Sequence, residues 1–350
     1  MDCCRGRISR LSGCPPRDAP PLYPASAKGT SSFARRTAAG GCPHIQTLKI
    51  FSAIDEMRGA SRAVRREGKR LALVPTMGAL HEGHLSLVRA ARAASDVVAA
   101  SIFVNPTQFG PNEDLAKYPR SFERDCEMLG REGVEFVFAP SVEEMYPAGA
   151  VTWVTVEELS GKLDGRSRPG HFRGVTTVVA KLFHIIEPDK GVFGQKDAAQ
   201  VAIIRRMVRD LNLPVEIVVC PIVREADGLA MSSRNAYLSV EERKRALVLH
   251  RSLERVKQLV HAGERGAPRL VAAGRGEFER ESLLRLDYFE VVDPDTLDPV
   301  ADVSRGGLVA VAAYLGGTRL IDNVLLGRPK AITTKGTKDH EGKTHEGWCG

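Results

Sequence analysis

The chain predicts an α/β fold: a Rossmann-like, doubly wound parallel sheet followed by a smaller α+β C-terminal lid domain. Three observations predict it. Between residues 70 and 220, apolar runs of strand length alternate with stretches whose apolar residues recur at helical spacing. Such alternation implies parallel strands with helices on both faces. Within that region the run 71–74 passes through Pro75 and Gly78 into Leu85, Leu87, Val88 and Ala91, a strand feeding a glycine turn and then a helix. Beyond Val223 the order changes to a polar loop, a highly charged helix and apolar runs near 287–292 and 308–314.

Residues 1–45 show no sustained period and are rich in Pro, Gly, Ser, Ala and Arg. They read as a disordered leader or a transit peptide, without the apolar stretch of a secretory signal. The fold begins near Leu48. Ser52 with Asp55 resembles a capping box that opens a helix over 53–67. The strand at 71–74, the helix from Gly83 and a second strand at 96–104 make a βαβ unit. That strand runs into Asn105, Pro106, Thr107, Gln108, Phe109 and Gly110, at the carboxyl end where open α/β sheets bind ligands.

A helix over 121–131 and a strand over 135–139 follow. Residues 160–174 form a Gly- and Arg-rich loop, longer than a plain connection requires. A helix over 175–186 and a strand over 191–193 lead to Gly194, Gln195, Lys196 and Asp197, which turn into a helix over 198–211. A strand over 214–220 closes the first domain. A polar loop over 224–238 enters a helix over 239–262 with Ser239 as N-cap. A Gly/Ala/Arg stretch then leads to the last strands. From Pro329 the tail is polar and reads as disordered. The expected division is leader 1–45, nucleotide-type domain 46–222, C-terminal lid domain 223–328 and tail 329–350.

Bulk properties narrow the function. No apolar run approaches the ~18 residues of a membrane span, so no membrane partner is expected. The net charge of +7 sits mostly at the ends: residues 1–45 carry seven Arg/Lys against two Asp, and 329–350 carry four Lys against three acids. The part between is left at +1, and a nucleic-acid partner is not expected of it. Of seven cysteines only Cys126 and Cys220 fall in the predicted folded part, with no CxxC pair. That usage fits a reducing compartment and no structural zinc.

Four groups of residues carry chemistry. His81 and His84 stand at the mouth of the helix after the glycine turn, where unpaired N–H groups and the helix dipole suit a phosphate. Taken alone, the pair also reads as surface histidines or a transition-metal pair, although zinc helices usually space His at i, i+4. In this position imidazoles can donate to phosphate oxygens as charge builds there. Met231, Ser232, Ser233 and Arg234 offer two hydroxyls and a guanidinium fork for a polyphosphate; an exposed capping loop is the plainer reading. Lys196 is a point charge for phosphate, and Asp197 suits a ribose hydroxyl or Mg2+; an ordinary helix start capped by Asp197 also fits. Asn105, Gln108 and Gln200 carry carboxamides that hold a hydroxy acid without adding net charge, or are polar loop residues in water.

The segments PTMGALHEGH (75–84), SIFVNPTQFGPNEDL (101–115), FAPSVEEMYP (138–147), SRPGHFRGV (167–175), FGQKDAAQ (193–200), VREADGLAMSSRN (223–235) and GGTRLIDN (316–323) resemble the pantothenate synthetase (pantoate–β-alanine ligase) family in order and spacing. The resemblance covers about three quarters of the chain. It implies an adenylate-forming nucleotidyltransferase fold, in which HEGH is the HIGH-type motif and MSSR the counterpart of the mobile KMSKS loop of class I aminoacyl-tRNA synthetases. It implies ATP as substrate with Mg2+, and (R)-pantoate condensed with β-alanine to pantothenate, AMP and pyrophosphate through a pantoyl adenylate. It places Met77, Gly78, Ala79, Leu80, His81, Glu82, Gly83 and His84 on ATP, with His84 as proton donor. Gly194, Gln195, Lys196, Asp197, Val223 and Met231, Ser232, Ser233 and Arg234 join them.

Gln108 and Gln200, with Asn105 beside them, would hold pantoate and β-alanine. The catalytic set is His81, His84, Lys196, Ser232, Ser233 and Arg234. The resemblance also implies a homodimer. The expected compartment is the cytoplasm, or a plastid or mitochondrion if the leader is a targeting peptide. Gln195 stands where many members have Glu, and Ala199 where many have Gln. Three alternatives have less support: a nucleotidylyltransferase acting on a phosphate or another small acid, a class I tRNA synthetase, and a non-enzymatic nucleotide-binding protein.

Overall fold

The computed structural model describes residues 48–111 and 113–327; the leader 1–45 and the tail 329–350 lie outside them. The first unit runs β1 (Lys49–Phe51), α1 (Ile54–Arg66), β2 (Leu71–Thr76), α2 (Glu82–Ala94), β3 (Val97–Ile102), α3 (Phe122–Arg131), β4 (Phe136–Phe138), the one-turn helices α4 (Val142–Met145) and α5 (Asp164–Ser167), α6 (His171–Ile186), β5 (Lys190–Gly194), α7 (Ala198–Asp210) and β6 (Glu216–Cys220). Its six strands are all parallel, in the order β1-β4-β3-β2-β5-β6. The chain winds outward from β2 in one direction and then from β5 in the other. The gap above the carboxyl ends of these neighbours is the switch point where such sheets open a crevice.

The alternation of side chains fixes the layers. Leu71, Leu73, Val97 and Ala99 enter one core with Met57 and Val64 of α1 and the apolar faces of α6 and α7. Ala72, Val74, Val98, Ala100 and Ile102 enter the other with Leu87, Val88 and Ala91 of α2 and Leu129 of α3. Each fully buried aliphatic side chain stabilises the fold by about 1.5–3 kcal/mol.

The second unit contains α8 (Val240–Ala246), α9 (Val248–His261), α10 (Ala267–Phe278), β7 (Leu284–Val292), β8 (Gly307–Leu315) and β9 (Thr318–Leu326), the strands forming an antiparallel sheet in that order. In β8, Leu308, Ala310 and Ala312 pack into the first unit's core. Val309, Val311 and Ala313 pack with Leu249, Leu253, Val256 and Leu270 of α9 and α10. The small sheet is therefore covered on both faces and shares a core with the parallel sheet. Among the described residues no helix is long and apolar enough to cross a membrane. Cys126 and Cys220 are buried free thiols.

Several elements differ from expectation. The N-cap of α1 is Ala53, not Ser52, and the side chain that receives Ile54 N–H is Glu144 Oε1 at 2.7 Å, from α4. A long-range carboxylate takes the place of a local box. The helix expected at 175 begins at His171, and the preceding loop contains α5. The charged helix over 239–262 is two helices broken at Leu247, although Ser239 does cap α8 in a box with Glu242. Helix α10 was hidden by Pro268, Gly274 and Gly276, poor helix formers in isolation. Pro268 lies in the first turn, where its missing N–H is tolerated. Gly274 packs on the Phe289 ring where no Cβ fits. Strand β9 was hidden because its first half is polar.

Gly174 lies against the turn at 105–108. A Cβ there would collide with the Thr107 carbonyl and stand 2.7 Å from Gln108 Cα. Gly174→Ala is expected to cost about 1–3 kcal/mol by overpacking, read as a lower urea midpoint; an unchanged midpoint would contradict this packing.

Candidate active site

The connection from β2 to α2 is held by a buried carboxylate. Gly78 and Ala79 adopt φ of 79° and 51°, a region that costs a non-glycine residue roughly 1–2 kcal/mol. Asp125 of α3, 1% exposed, offsets this. Its Oδ2 accepts Ala79 N–H at 2.8 Å, and its Oδ1 accepts Leu80 N–H at 2.9 Å and the Ser121 hydroxyl at 3.0 Å. His81 is the N-cap of α2, and its Nδ1 accepts Gly83 N–H at 3.1 Å. His84 Nδ1 accepts His81 N–H at 3.4 Å, completing a capping box made of imidazoles. The backbone N–H groups of Ala79, Leu80 and Gly83 are thus already used. The two rings lie side by side, 4.1 Å apart between centroids with their planes tilted by 41°.

Burial, with the Lys196 ammonium next, pushes His81 down to about 4. Burial, with His81 and then Lys196, pushes His84 down to about 3. Both rings are neutral at pH 7. Because each Nδ1 accepts, the single ring proton of each lies on Nε2. At neutral pH His84 therefore presents an Nε2–H donor. The capping also turns the Nδ1 atoms away from any shared ligand, and no cluster of three or more His, Cys, Asp or Glu suited to a metal occurs among the described residues.

Gln108 ends a single 3-10 turn at the tip of β3 and is buried. Its Nε2 lies 3.0 Å from Met77 Sδ, and its Oε1 accepts Asn105 Nδ2 at 3.1 Å. Asn105 faces inward. Its Nδ2 also donates to Gly174 O, and its Oδ1 accepts from Thr107 and from the Tyr146 hydroxyl. The Gln108 carbonyl accepts His171 Nδ1–H at 2.8 Å, while His171 Nε2 faces Arg168 Nη1 at 3.0 Å. Arg168 is paired in turn with Glu113. Burial and the Arg168 charge push His171 down to about 4.

Lys196 sits on the 3-10 turn Gln195–Asp197 between β5 and α7, with Nζ 3.9 Å from Asp197 Oδ1. Asp197 occupies the N-cap position of α7, but its side chain makes no capping bond. Ser232 Oγ accepts Arg234 N–H, and Ser233 Oγ is 3.4 Å from the Tyr118 hydroxyl. The Arg234 fork is engaged: Nε and Nη2 donate to the two oxygens of Asp114 at 2.9 and 3.0 Å. Val223 O accepts Met231 N–H at 3.0 Å. A Cβ on Gly83 would lie 3.6 Å from Met231 Cβ, so the histidine turn and the 231–234 segment are in contact.

A cleft of about 950 Å3 lies between the two units, with Lys196, Asp197, Gln200, Ser232 and Arg234 on its wall. His81, His84 and Gln108 are not on that wall: the Gln108 carbonyl is held by His171, which is on it, and the two histidines feel the charge of Lys196, which is also on it. The sequence reading missed Asp125, Tyr118, His171 and Asp114 as parts of the site. Asp125 was detectable as an acid in the buried stripe of Phe122, Cys126 and Leu129. The other three carry no local pattern.

Fold and site together define a Rossmann-like α/β protein with a polar cleft between its two units, lined by cations and carboxylates alike. Comparison with known proteins narrows this. The family model Pantoate-beta-alanine ligase matches residues 49–325. The chain is 65% identical over 295 residues to a pantothenate synthetase of Acidobacterium capsulatum, covering 81% of this chain and 99% of that protein. It is 61% identical over 279 residues to one of Koribacter versatilis, covering 80% and 96%. The crystal structure of pantothenate synthetase from Thermus thermophilus is similar with a TM-score of 0.75 and 46% identity, over 79% of this chain and 98% of that one. A Francisella tularensis pantoate-beta-alanine ligase complexed with beta-gamma ATP and beta-alanine gives 0.63 and 32%, over 79% and 97%. The chain belongs to the pantoate–β-alanine ligase family, and its activity is the joining of pantoate to β-alanine to form pantothenate.

The depressed histidines give a signed pH dependence. Below about 6.5 the unfolded chain takes up protons that folded His81, His84 and His171 refuse until about 4 or below. Stability is therefore full above that pH and falls as the solution is acidified toward 4. Urea midpoints should drop across this window, and His171→Asn should flatten the drop; a flat wild-type profile would contradict the buried neutral rings. At pH 7, nitrogen-15 spectra should show His81 and His84 as Nε2–H tautomers.

Proposed function

We propose that the ligation proceeds in two half-reactions at this cleft, with ATP as the activating substrate. The observation that carries the reading is the convergence of His81, His84, Lys196 and the 231–234 segment at one switch point. The Francisella relative, complexed with an ATP analogue and β-alanine, supports it. The pantoate carboxylate attacks the α-phosphorus and pyrophosphate leaves, giving pantoyl adenylate. A carboxylate is already ionised at pH 7, so this step needs positioning and charge stabilisation rather than a base. The Nε2–H groups of His81 and His84, the Lys196 ammonium and the Ser232 and Ser233 hydroxyls donate to phosphate oxygens. Arg234 joins them by exchanging Asp114 for phosphate. The turn from Met77 to His84, with Gly194, Gln195, Asp197 and Val223, forms the nucleotide bed.

Gln108 and Gln200 hold pantoate, and Gln108 then holds β-alanine. Asn105 acts through Gln108, whose amide it orients. The β-alanine ammonium gives up a proton to solvent, the free amine attacks the adenylate carbonyl, and the amide forms with loss of the second proton as AMP leaves. Mg2+ fits as the nucleotide's own counter-ion, which typically takes one or two carboxylates plus phosphate oxygens. The half-exposed Asp197 carboxylate would hold it, and it would neutralise charge on the leaving pyrophosphate.

Residues 46–222 form the nucleotide and pantoate domain, and residues 223–328 the lid. Because β8 shares the main core, the moving part of the lid is the loop 224–238, and its closure shields the adenylate from water. The protein works as a homodimer in the cytoplasm.

AMP and pyrophosphate release should require both pantoate and β-alanine, and release without either would overturn the reading. Lys196→Ala should slow single-turnover adenylate formation by at least ~10²-fold, the loss expected for one preorganised donor. His84→Ala should act similarly, and Gln108→Ala should chiefly raise the KM values for pantoate and β-alanine. Near-normal adenylation by the lysine variant would remove Lys196 from the site. Saturating ATP should protect the 224–238 loop from trypsin; unchanged cleavage would count against closure.

A further inference from the structure

We propose that Asp322 and Asn323, adjacent residues of β9, are positioning residues for adenylation: Asn323 sets the turn that carries Lys196, and Asp322 sets the loop that carries Ser232 and Arg234. The proposal rests on the assignment of those residues to the nucleotide phosphates.

Successive residues of a strand face opposite sides. Asn323 pairs with Ala310, whose side chain enters the first unit's core, and Asp322 with Val311, on the helical side. Each is 3% exposed. On the first side, Asn323 Nδ2 donates to Gln195 O at 3.0 Å and Lys196 O at 2.9 Å, and its Oδ1 accepts Gln195 Nε2 at 3.1 Å. Both amide hydrogens and the oxygen are spent on one 3-10 turn. That turn is a short bridge between β5 and α7, so its carbonyls gain an anchor from another domain.

On the other side, Asp322 receives the Arg224 fork, Nη1 to Oδ2 at 2.6 Å and Nη2 to Oδ1 at 2.9 Å. Arg224 Nη1 also donates to Gly228 O at 3.0 Å, and Arg224 bridges Ala230 as a β-pair. The loop from 224 to 230 is thereby folded onto β9 just before Met231. One two-residue step on a strand of the second unit thus fixes two segments that meet across the cleft. Burying a carboxylate and a carboxamide in a strand is costly unless they are fully bonded; apart from the Asn323 N–H that Asp322 Oδ1 accepts at 2.7 Å, the side-chain bonds of this pair lead to segments of the site.

The test is a double-mutant comparison in pantoate-dependent exchange of pyrophosphate into ATP. Asn323→Asp keeps the side chain's shape but sets an oxygen against the two carbonyls. It should lower kcat by about 10- to 100-fold, the scale of loss from a small misplacement of a reacting group. The same change on the Lys196→Ala background should add less than about 3-fold, the non-additivity of residues that act as a unit. Equal losses in both backgrounds, or a wild-type rate, would overturn the proposal.

Asp322→Asn is the second arm and stands alone if Asn323→Asp fails to fold. It should raise the KM for ATP by about 10-fold, one weakened charge-assisted contact, while kcat stays within about 3-fold and the 224–238 loop becomes more trypsin-sensitive. An unchanged KM would overturn the Asp322 half. Wild-type exchange by Lys196→Ala alone would instead overturn the phosphate assignment, and the positioning role with it.

Discussion

Asp125 is buried in the apolar face of α3, and its two carboxylate oxygens receive the amides of Ala79 and Leu80. Those amides belong to a backbone that turns through positive φ at Gly78 and Ala79. Without the carboxylate, the turn would present unpaired N–H groups in a buried place and would relax toward ordinary φ. A Cβ on Gly78 would stand 3.0 Å from Asp125 Oδ2, so the turn and its anchor fit together closely. The direction in which α2 begins follows from this contact, and with it the direction of His81 and His84. The rings then cap their own helix, which fixes their tautomers. A carboxylate on a neighbouring helix thus sets the turn, and the capping bonds leave Nε2 as the nitrogen of each ring not spent on the helix.

A pair of acids organises another part of the cleft wall. Glu113 and Asp114 are neighbours on one loop, and each holds an arginine: Arg168, which braces the Gln108 turn, and Arg234, which belongs to the 231–234 segment. In the proposed reaction, a phosphate that takes the Nε/Nη2 edge of Arg234 displaces Asp114. The exchange replaces one anionic partner by another, so the guanidinium is never desolvated alone, a state that would cost several kcal/mol. It also ties nucleotide contact at Arg234 to the loop that braces Gln108 through Arg168. Substrate positioning and phosphate contact thus share one short stretch of chain.

Much of this was legible in the sequence because the elements are strongly patterned. The largely apolar β2 and β3 and the glycine turn between β2 and α2 declare a βαβ unit by composition alone. HEGH, GQKD and MSSR each sit where a strand or loop hands over to a helix. What stayed hidden depends on long-range partners. Asp125 stands out as an acid on the apolar stripe of α3, but the amides it serves, those of Ala79 and Leu80, lie some 45 residues away and only the fold brings them to it. The α1 cap comes from Glu144, ninety residues away. Gly274 weakens α10 in isolation and is required only because Phe289 of β7 packs there. The polar start of β9 masks a strand, since Asp322 and Asn323 are buried by partners rather than by apolarity.

The electrostatics of the cleft follow from keeping the histidines neutral beside a lysine. Three cations in contact would repel one another and would grip the ground-state triphosphate as firmly as the transition state, which lowers KM without raising kcat. Burial and the Lys196 ammonium instead leave each ring as a fixed N–H dipole. A dipole aimed at an oxygen gains most when charge accumulates on that oxygen, and it needs no reorganisation at that moment. The same burial carries a cost in acid, where the folded rings resist protonation that the unfolded chain accepts. In the proposed reaction, acid lability and transition-state selectivity are therefore two consequences of a single placement of His81 and His84 against Lys196.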